Sequence, residues 1–415
     1  MTDTSDAQSL LRRLQSGTPG PALDALETCR RACRDLGVPL YLVGGAVRDL
    51  LLDRPGYDLD LSVEGDASSI AHRVASETGG RAVTHARFGT ARVSGKGFRL
   101  DLATTRRERY PHPGALPVVE PATLAEDLAR RDFTINAVAL RLEPSPAALI
   151  DPFRGVADTR NRLVRVLHDR SFQDDATRML RAVRYAARLE FNIATQSATL
   201  IGRDLTFLGT VSGPRLRREL SLTFEEPAAA AATRLAQRLG ILQAIHPALH
   251  LPADAAARWR QALGGPKQAP LDELGFCVVA HPPDEAAVAS ITKWLHLTGR
   301  VEHALAGLVR LESRSSKLVS MRGTPSKATE VLDGYPPAAV WAYAVLHGDE
   351  TAGVCLDYLS AWRHVKPALN GDDLLAMGVS AGPALGETLR RLRAARLDGI
   401  VTSRDQEIAM VGGQS

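Results

Sequence analysis

Four cysteines in 415 residues, at Cys29, Cys33, Cys277 and Cys355, are too few and too scattered for a disulfide framework. Cys29 and Cys33 lie one helical turn apart, but no third and fourth Cys or His stands nearby to complete a zinc site, so reduced thiols are expected. No apolar run approaches the roughly 18 residues that a bilayer-spanning helix needs. The segment from Met1 to Gln8 is polar and acidic and lacks the apolar stretch of a signal peptide. A cytoplasmic protein with no membrane contact and no protein partner is the expectation. Neither sign of charge dominates, since 51 Lys and Arg face 47 Asp and Glu for a net charge of +4. That balance permits a nucleic-acid partner without requiring one. Internal repeats, low-complexity tracts, a GxxxxGK[ST] loop and a GxGxxG loop are all missing, which removes the commonest nucleotide-binding signatures.

What the chain does contain is a change of texture near residue 145. Before it, short apolar strands fit at 40–43, 57–63, 81–84, 90–94, 99–104 and 135–142, with helices at 1–38, 46–52 and 67–78. Residues 105–125 are rich in Pro and charge and read as a mobile loop. After it, strand signals nearly vanish and Ala-, Leu- and Arg-rich helical segments run to the end. The fold class is therefore α+β: a head with a mixed sheet, followed by an all-helical remainder. Pro/Gly-rich breaks subdivide that remainder, giving expected parts at 1–145, 146–240, 241–330 and 331–415.

The chemistry concentrates in the head. Gly44-Gly45 ends a strand and opens a helix, where backbone N–H groups can face a phosphate, and Arg48 follows one turn in. Asp58 and Asp60 are two apart on a strand and so share one face. Paired carboxylates with no base between them repel unless a cation joins them. Their chemical use is to hold two Mg²⁺ ions about 4 Å apart, one activating a 3′-hydroxyl and one steadying a pyrophosphate leaving group. Asp101, in Arg99-Leu100-Asp101-Leu102, is placed by pattern to supply a third carboxylate from a neighbouring strand.

This arrangement resembles the nucleotidyltransferase superfamily, with its polymerase β-like head, and specifically the class II tRNA nucleotidyltransferases with their bacterial poly(A) polymerase relatives. The likeness extends through Arg130-Arg131-Asp132-Phe133-Thr134-Ile135-Asn136-Ala137, Asp151-Pro152-Phe153-Arg154-Gly155 with Asp158, Asp174-Asp175-Ala176-Thr177-Arg178, and Ser212, Arg215 and Glu219. Those motifs stand in the family's order over residues 41–220, and the likeness loses specificity past about 240. It implies that Arg131, Asp132 and Asn136 contact ribose and phosphates, that residues 151–158 form a hinge between head and neck, and that Arg181 and Arg184 add further nucleotide contacts. Asp174 stands where the family usually has Glu.

Asp175 and Arg178, three apart on a segment read as helical, would face the same way. Cytosine and adenine each present an amino donor beside a ring-nitrogen acceptor, which a carboxylate and a guanidinium complement. Uracil and guanine present the reverse order, a mismatch worth roughly 1–3 kcal/mol per bidentate contact. The resemblance thus implies addition of the 3′-terminal CCA nucleotides to tRNA from CTP and ATP, without a template, by Mg²⁺-dependent transfer. The alternatives are an enzyme adding only the terminal A to tRNA ending in CC and, further off, a poly(A) polymerase. In the family this chain resembles, enzymes adding only CC have a shortened loop between the first two motifs, so the resemblance implies that the long 105–125 stretch, which opens with Arg106, Arg107, Arg109 and Tyr110, disfavours addition of CC alone. Arg258, Arg260, Lys267, Arg314, Lys317, Arg322 and the run Arg390–Arg396 are candidate contacts for the acceptor stem and elbow of tRNA.

Overall fold

The computed structural model describes residues 4–54, 58–85, 88–314, 318–321 and 323–412. It packs as two compact units, residues 1–211 and 212–415, a division that falls inside the expected 146–240 segment.

In the first unit, α1 (Thr4–Gly17) and α2 (Gly20–Asp35) precede β1 (Leu40–Val43), α3 (Gly45–Leu51), β2 (Leu59–Val63) and α4 (Ala67–Thr78). Then come β3 (Arg81–His85), β4 (Thr90–Gly95), β5 (Phe98–Thr104), β6 (Arg106–Arg109), β7 (Val118–Pro121) and α5 (Leu124–Ala129). β8 (Ala139–Glu143), β9 (Ala148–Ile150), α6 (Gly155–Arg160), α7 (Ser171–Asp174) and α8 (Thr177–Leu189) follow. Seven strands form one mixed sheet in the order β3-β4-β5-β2-β1-β8-β9, in which only β2 and β5 run parallel.

Period-two alternation sets the faces of this sheet. Leu40 and Leu42 of β1, Leu59 and Leu61 of β2, Ala91 and Val93 of β4, and Leu100 and Leu102 of β5 all enter a core shared with α1, α2 and α4. The intervening residues Asp60, Arg92 and Asp101 therefore project from the opposite face. On that face a smaller cluster of Tyr41, Val43, Leu124, Leu128, Ala137 and Ala139 seats α5 against β1 and β8. α4 is bounded by its own chemistry: Asp66 accepts from Ser68 N, and Gly79 closes the helix at φ 67°. A short parallel pair, Leu163–Val164 with Asn192–Ile193, is the small β element that the helical reading of this region did not foresee.

Two stretches differ from the sequence reading. Residues 105–125 form the antiparallel hairpin β6–β7, pairing Arg106 with Pro121 and Arg109 with Val118. Their charges read as loop-forming, but Arg107 bonds Glu120 across the ladder and Arg106 and Glu108 are tied to α5 and its C-terminus. The stretch 135–142 begins as a 3₁₀ turn, Thr134–Asn136, before β8. Of the strand expected at 57–63, residue 57 lies outside the described residues.

Among its described residues the second unit is helical. Leu271–Ala280, Gly299–Arg314 and Pro337–His347 pack on one another. The first is buried from Glu273 to Ala280 and the third from Ala338 to Val345, as central helices must be. Trp259, Phe224 and Phe276 join them, the last two edge to face at 5.1 Å. No described helix is long and apolar enough to cross a membrane.

Candidate active site

The open face of the sheet carries the acidic cluster. Parallel pairing sets Asp60 directly beside Asp101, and Asp58 precedes Asp60 at the mouth of β2. The Asp60 carboxyl is pushed up to about 6, first by the protein that displaces water around it and then by Asp101 and Asp58. Arg131 and Arg99 oppose that rise. Asp101 is held by Arg92 at 2.7 Å and by Arg99 at 3.1 Å, and Arg99 approaches Asp58 at 3.8 Å. Three carboxylates thus gather on the open face at β2 and β5, with Arg99 bridging Asp58 and Asp101.

Beside them opens a cleft of about 330 Å³ lined by Gly44, Gly45, Asp60, Arg131, Asp132, Asn136, Asp175, Arg178 and Arg181, together with Glu108, Tyr110, Arg130 and Tyr185. Nine of the thirteen sequence-predicted residues share this one cavity. Gly44 adopts φ 68°, and a Cβ there would lie 2.7 Å from Arg131 Nη1. Only glycine lets the β1–α3 joint pass so close beneath that guanidinium.

A chain of polar bonds fixes the floor. Asp132 accepts from its neighbour's amide Phe133 N and from Asn136 Nδ2, and Arg181 clamps it at 2.9 and 2.6 Å. Burial would raise the Asp132 carboxyl, but Arg181 and the Asn136 amide hold it below its ordinary value. Asn136 Oδ1 in turn accepts from Arg48 Nη1 at 2.7 Å. Arg48 is 2% exposed, and Asp49 takes its Nε and Nη2 donors. Arg48, Arg181 and Arg184 surround the Tyr185 ring at 5.4, 5.5 and 5.6 Å, and Phe133 meets that ring edge-on. Arg130 and Arg131 are both fastened to buried Asp127 from α5, and Arg130 also bonds Glu108. Outside the cleft, Asp151 accepts from Gly155 N and Val156 N at the start of α6, and Asp158 takes Thr134 and Arg165.

Asp175 and Arg178 reach the cleft by a different route from the expected single helix. The helix breaks between α7 and α8, leaving Asp175 extended at φ −144°, ψ 100°. Its Oδ1 accepts from Thr177 N and Thr177 Oγ1, so the residue ties down the entry of α8. Arg178 is buried, donating to Ser171 Oγ at 2.8 Å and to Arg130 O at 2.8 Å. That burial removes the exposed salt bridge as an account of the pair.

Glu108, Tyr110, Arg130 and Tyr185 complete the lining; of these the sequence names Tyr110, in the 105–125 stretch, and Arg130, at the head of the Arg130–Ala137 motif. Tyr185 stands four residues after Arg181, so helical spacing carries that signal. Glu108 became legible only once the hairpin folded it onto Arg130.

The basic candidates further along are partly committed within the protein. Arg258 donates to the Val345 and Leu346 carbonyls, Arg393 bonds Asp333, and Arg396 bonds buried Glu407. Arg260, Lys267 and Arg390 are exposed, while Lys317, Arg322 and the side chain of Arg314 lie outside the described residues.

A poly(A) polymerase head-domain model matches residues 40–165, and a model described as the probable RNA and SrmB-binding site of polymerase A matches 190–251. An A-adding tRNA nucleotidyltransferase of Geobacter sulfurreducens is 34% identical over 94% of this chain, which spans 47% of that relative's length. Its counterpart in Halalkalibacterium halodurans is 31% identical over 93% of this chain and 91% of its own. A CC-adding tRNA nucleotidyltransferase of Deinococcus radiodurans is 34% identical over 91% and 89%. The Thermotoga maritima CCA-adding enzyme solved with tRNA superposes at a TM-score of 0.78, with 25% identity over 98% of each chain. With a mixed sheet that carries carboxylates on its open face, a helical remainder and relatives aligned along nine-tenths of its length, the chain belongs to the class II tRNA nucleotidyltransferases.

Proposed function

We propose that this chain builds the 3′-terminal CCA of tRNA from CTP and ATP. The observation that carries the reading is one cleft lined by Asp175, Arg178 and the carboxylate Asp60, and the first two would read the base. The tRNA 3′-hydroxyl attacks the α-phosphorus, one P–O bond forms, and pyrophosphate departs.

Asp58 and Asp60 would hold divalent metal, with Asp101 beside them, and the donor set fits. A carboxylate such as Asp60, whose affinity for a proton is raised by burial and then by two neighbouring carboxylates, is the group a small hard cation relieves. Bound Mg²⁺ would supply charge for the leaving pyrophosphate and a more acidic attacking hydroxyl. Gly44, Gly45 and Arg131 border the place for the triphosphate, while Asp132, Asn136 and Arg181 form the polar floor for ribose and phosphates. Arg48 and Arg184, both buried, are positioning residues that act through Asn136 and Tyr185. Residues 1–145 carry the catalytic head and 146–240 the base selection. Residues 241–330 and 331–415 hold tRNA through phosphate contacts and shape.

A second reading, addition of the terminal A alone, is favoured by the A-adding relatives that align over 93% and 94% of the chain. Purified protein with Mg²⁺, labelled CTP or ATP, and tRNA ending either at the discriminator base or at CC separates the two. C on the first and A on the second supports full CCA addition. Label from ATP on CC-ended tRNA alone supports the A-adding reading. Long A tails on unrelated RNA, or no transfer at all, would overturn both.

A further inference from the structure

Far along the chain from the acidic sheet face, three helices of the second unit bring together two imidazoles and a carboxylate. His281 follows the last residue of Leu271–Ala280, Glu312 lies on Gly299–Arg314, and His347 ends Pro337–His347. Glu312 Oε1 sits 3.2 Å from His281 Nε2 and 2.7 Å from His347 Nε2, and one ligand atom from each residue lies within 4.8 Å of the others. Among the described residues this is the group of His, Cys, Asp and Glu that meets so closely. We propose that His281, Glu312 and His347 form a binding site for a late first-row divalent transition metal, with zinc the best fit.

Geometry supports this first. Zinc takes His nitrogen and carboxylate oxygen at about 2.0–2.2 Å, so tetrahedral ligands stand about 3.3 Å apart, which matches the His281–Glu312 spacing of 3.2 Å and asks the His347–Glu312 hydrogen bond of 2.7 Å to open by roughly half an ångström. Imidazole favours zinc, nickel or copper, whereas Mg²⁺ prefers an all-oxygen octahedron. The site therefore differs in kind from the sheet carboxylates.

The surroundings aim the ligands. The Tyr343 ring stacks on His347 at 4.0 Å, which orients the imidazole. His281 holds φ 22° and ψ 62°, a conformation that side-chain-bearing residues seldom keep. That turn carries the imidazole away from the helix path and onto Glu312. Both Nε2 atoms face the same Glu312 oxygen, so the three ligands already converge on one point. The three side chains are 27–34% exposed, which leaves room for entry and for a water as fourth ligand. A metal here would join the ends of two buried helices to a third and stabilise the second unit.

The test uses untagged full-length protein stripped with EDTA and titrated with Co²⁺, then Zn²⁺. One equivalent of Co²⁺ should give the visible absorption of a tetrahedral site and be displaced by Zn²⁺. His347→Gln and Glu312→Gln should each weaken that binding at least 10-fold, while Asp60→Asn leaves it intact. Zn²⁺ should raise the unfolding temperature of the wild type and not that of His347→Gln. Equal Co²⁺ binding in both variants, loss of it in Asp60→Asn, or no tetrahedral band would overturn the proposal. Should the variants fail to fold, zinc-edge X-ray absorption of the wild-type protein decides. Scattering from imidazole rings supports the site, and an oxygen-only shell refutes it.

Discussion

Asp60 and Asp101 are neighbours in register, yet their surroundings set them apart: Asp101 is paired with Arg92 and Arg99, while Asp60 is crowded by carboxylates. Asp60→Asn is therefore expected to lower nucleotide incorporation by roughly 10³-fold, the equivalent of about 4 kcal/mol of lost charge stabilisation. The tRNA Kd should stay near the wild-type value, and single-turnover assays with separate binding measurements check both. At the proposed base-reading end, Asp175→Asn replaces an acceptor-only group with one that also donates. The preference for CTP over UTP should fall by about 10–100-fold, since a bidentate contact is worth roughly 1–3 kcal/mol. Competition between labelled CTP and UTP measures it, and an unchanged ratio would remove Asp175 from selection.

The β1–α3 joint and α5 show how local elements hold these groups. Gly44→Ala would place a methyl 2.7 Å from Arg131 Nη1 in a backbone conformation open mainly to glycine. A cost of about 1–3 kcal/mol in stability is expected, together with loss of incorporation. Denaturant unfolding beside the activity assay would reveal it. α5 contributes Asp127, fully buried between Arg130 and Arg131. Burial would raise this carboxyl, but Arg131 and Arg130 hold it below its ordinary 3.8. A group whose folded-state value is depressed stabilises fully above about pH 4, and the contribution disappears as pH falls through the lowered value. Asp127→Asn should therefore flatten the fall in stability below pH 4, which urea unfolding at pH 3 and pH 7 would show. The hairpin β6–β7 belongs here too. Its Pro and charge content reads as loop, because the contacts that order it, Arg107 with Glu120 across the ladder and Glu108 with Arg130 after α5, lie beyond any local window.

The chain forms two compact units, and every cleft residue lies in the first. Calorimetry of the full chain should resolve two transitions. ATP with Mg²⁺ should raise one of them by mass action, and the other should not respond. A single transition shifted as one would contradict independent cores. Binding of tRNA should also weaken linearly in log Kd against log salt, since phosphate contacts release counterions, whereas ATP should show a much smaller slope.

The amino-acid order alone sufficed for the α+β head, the helical remainder and the projection of Asp60 away from the leucines that flank it on β2. These depend on alternation along single strands, a signal that spans only a few residues. Folding in three dimensions was needed to break the helix at Asp175, to bury Arg48 against Asn136, and to fold Glu108 onto Arg130. It also brought His281 and His347 to Glu312 across separations of 31 and 35 residues. Such contacts form between elements rather than within them. Side-chain periodicity reports which face a residue occupies and carries no information about what another element will set against that face.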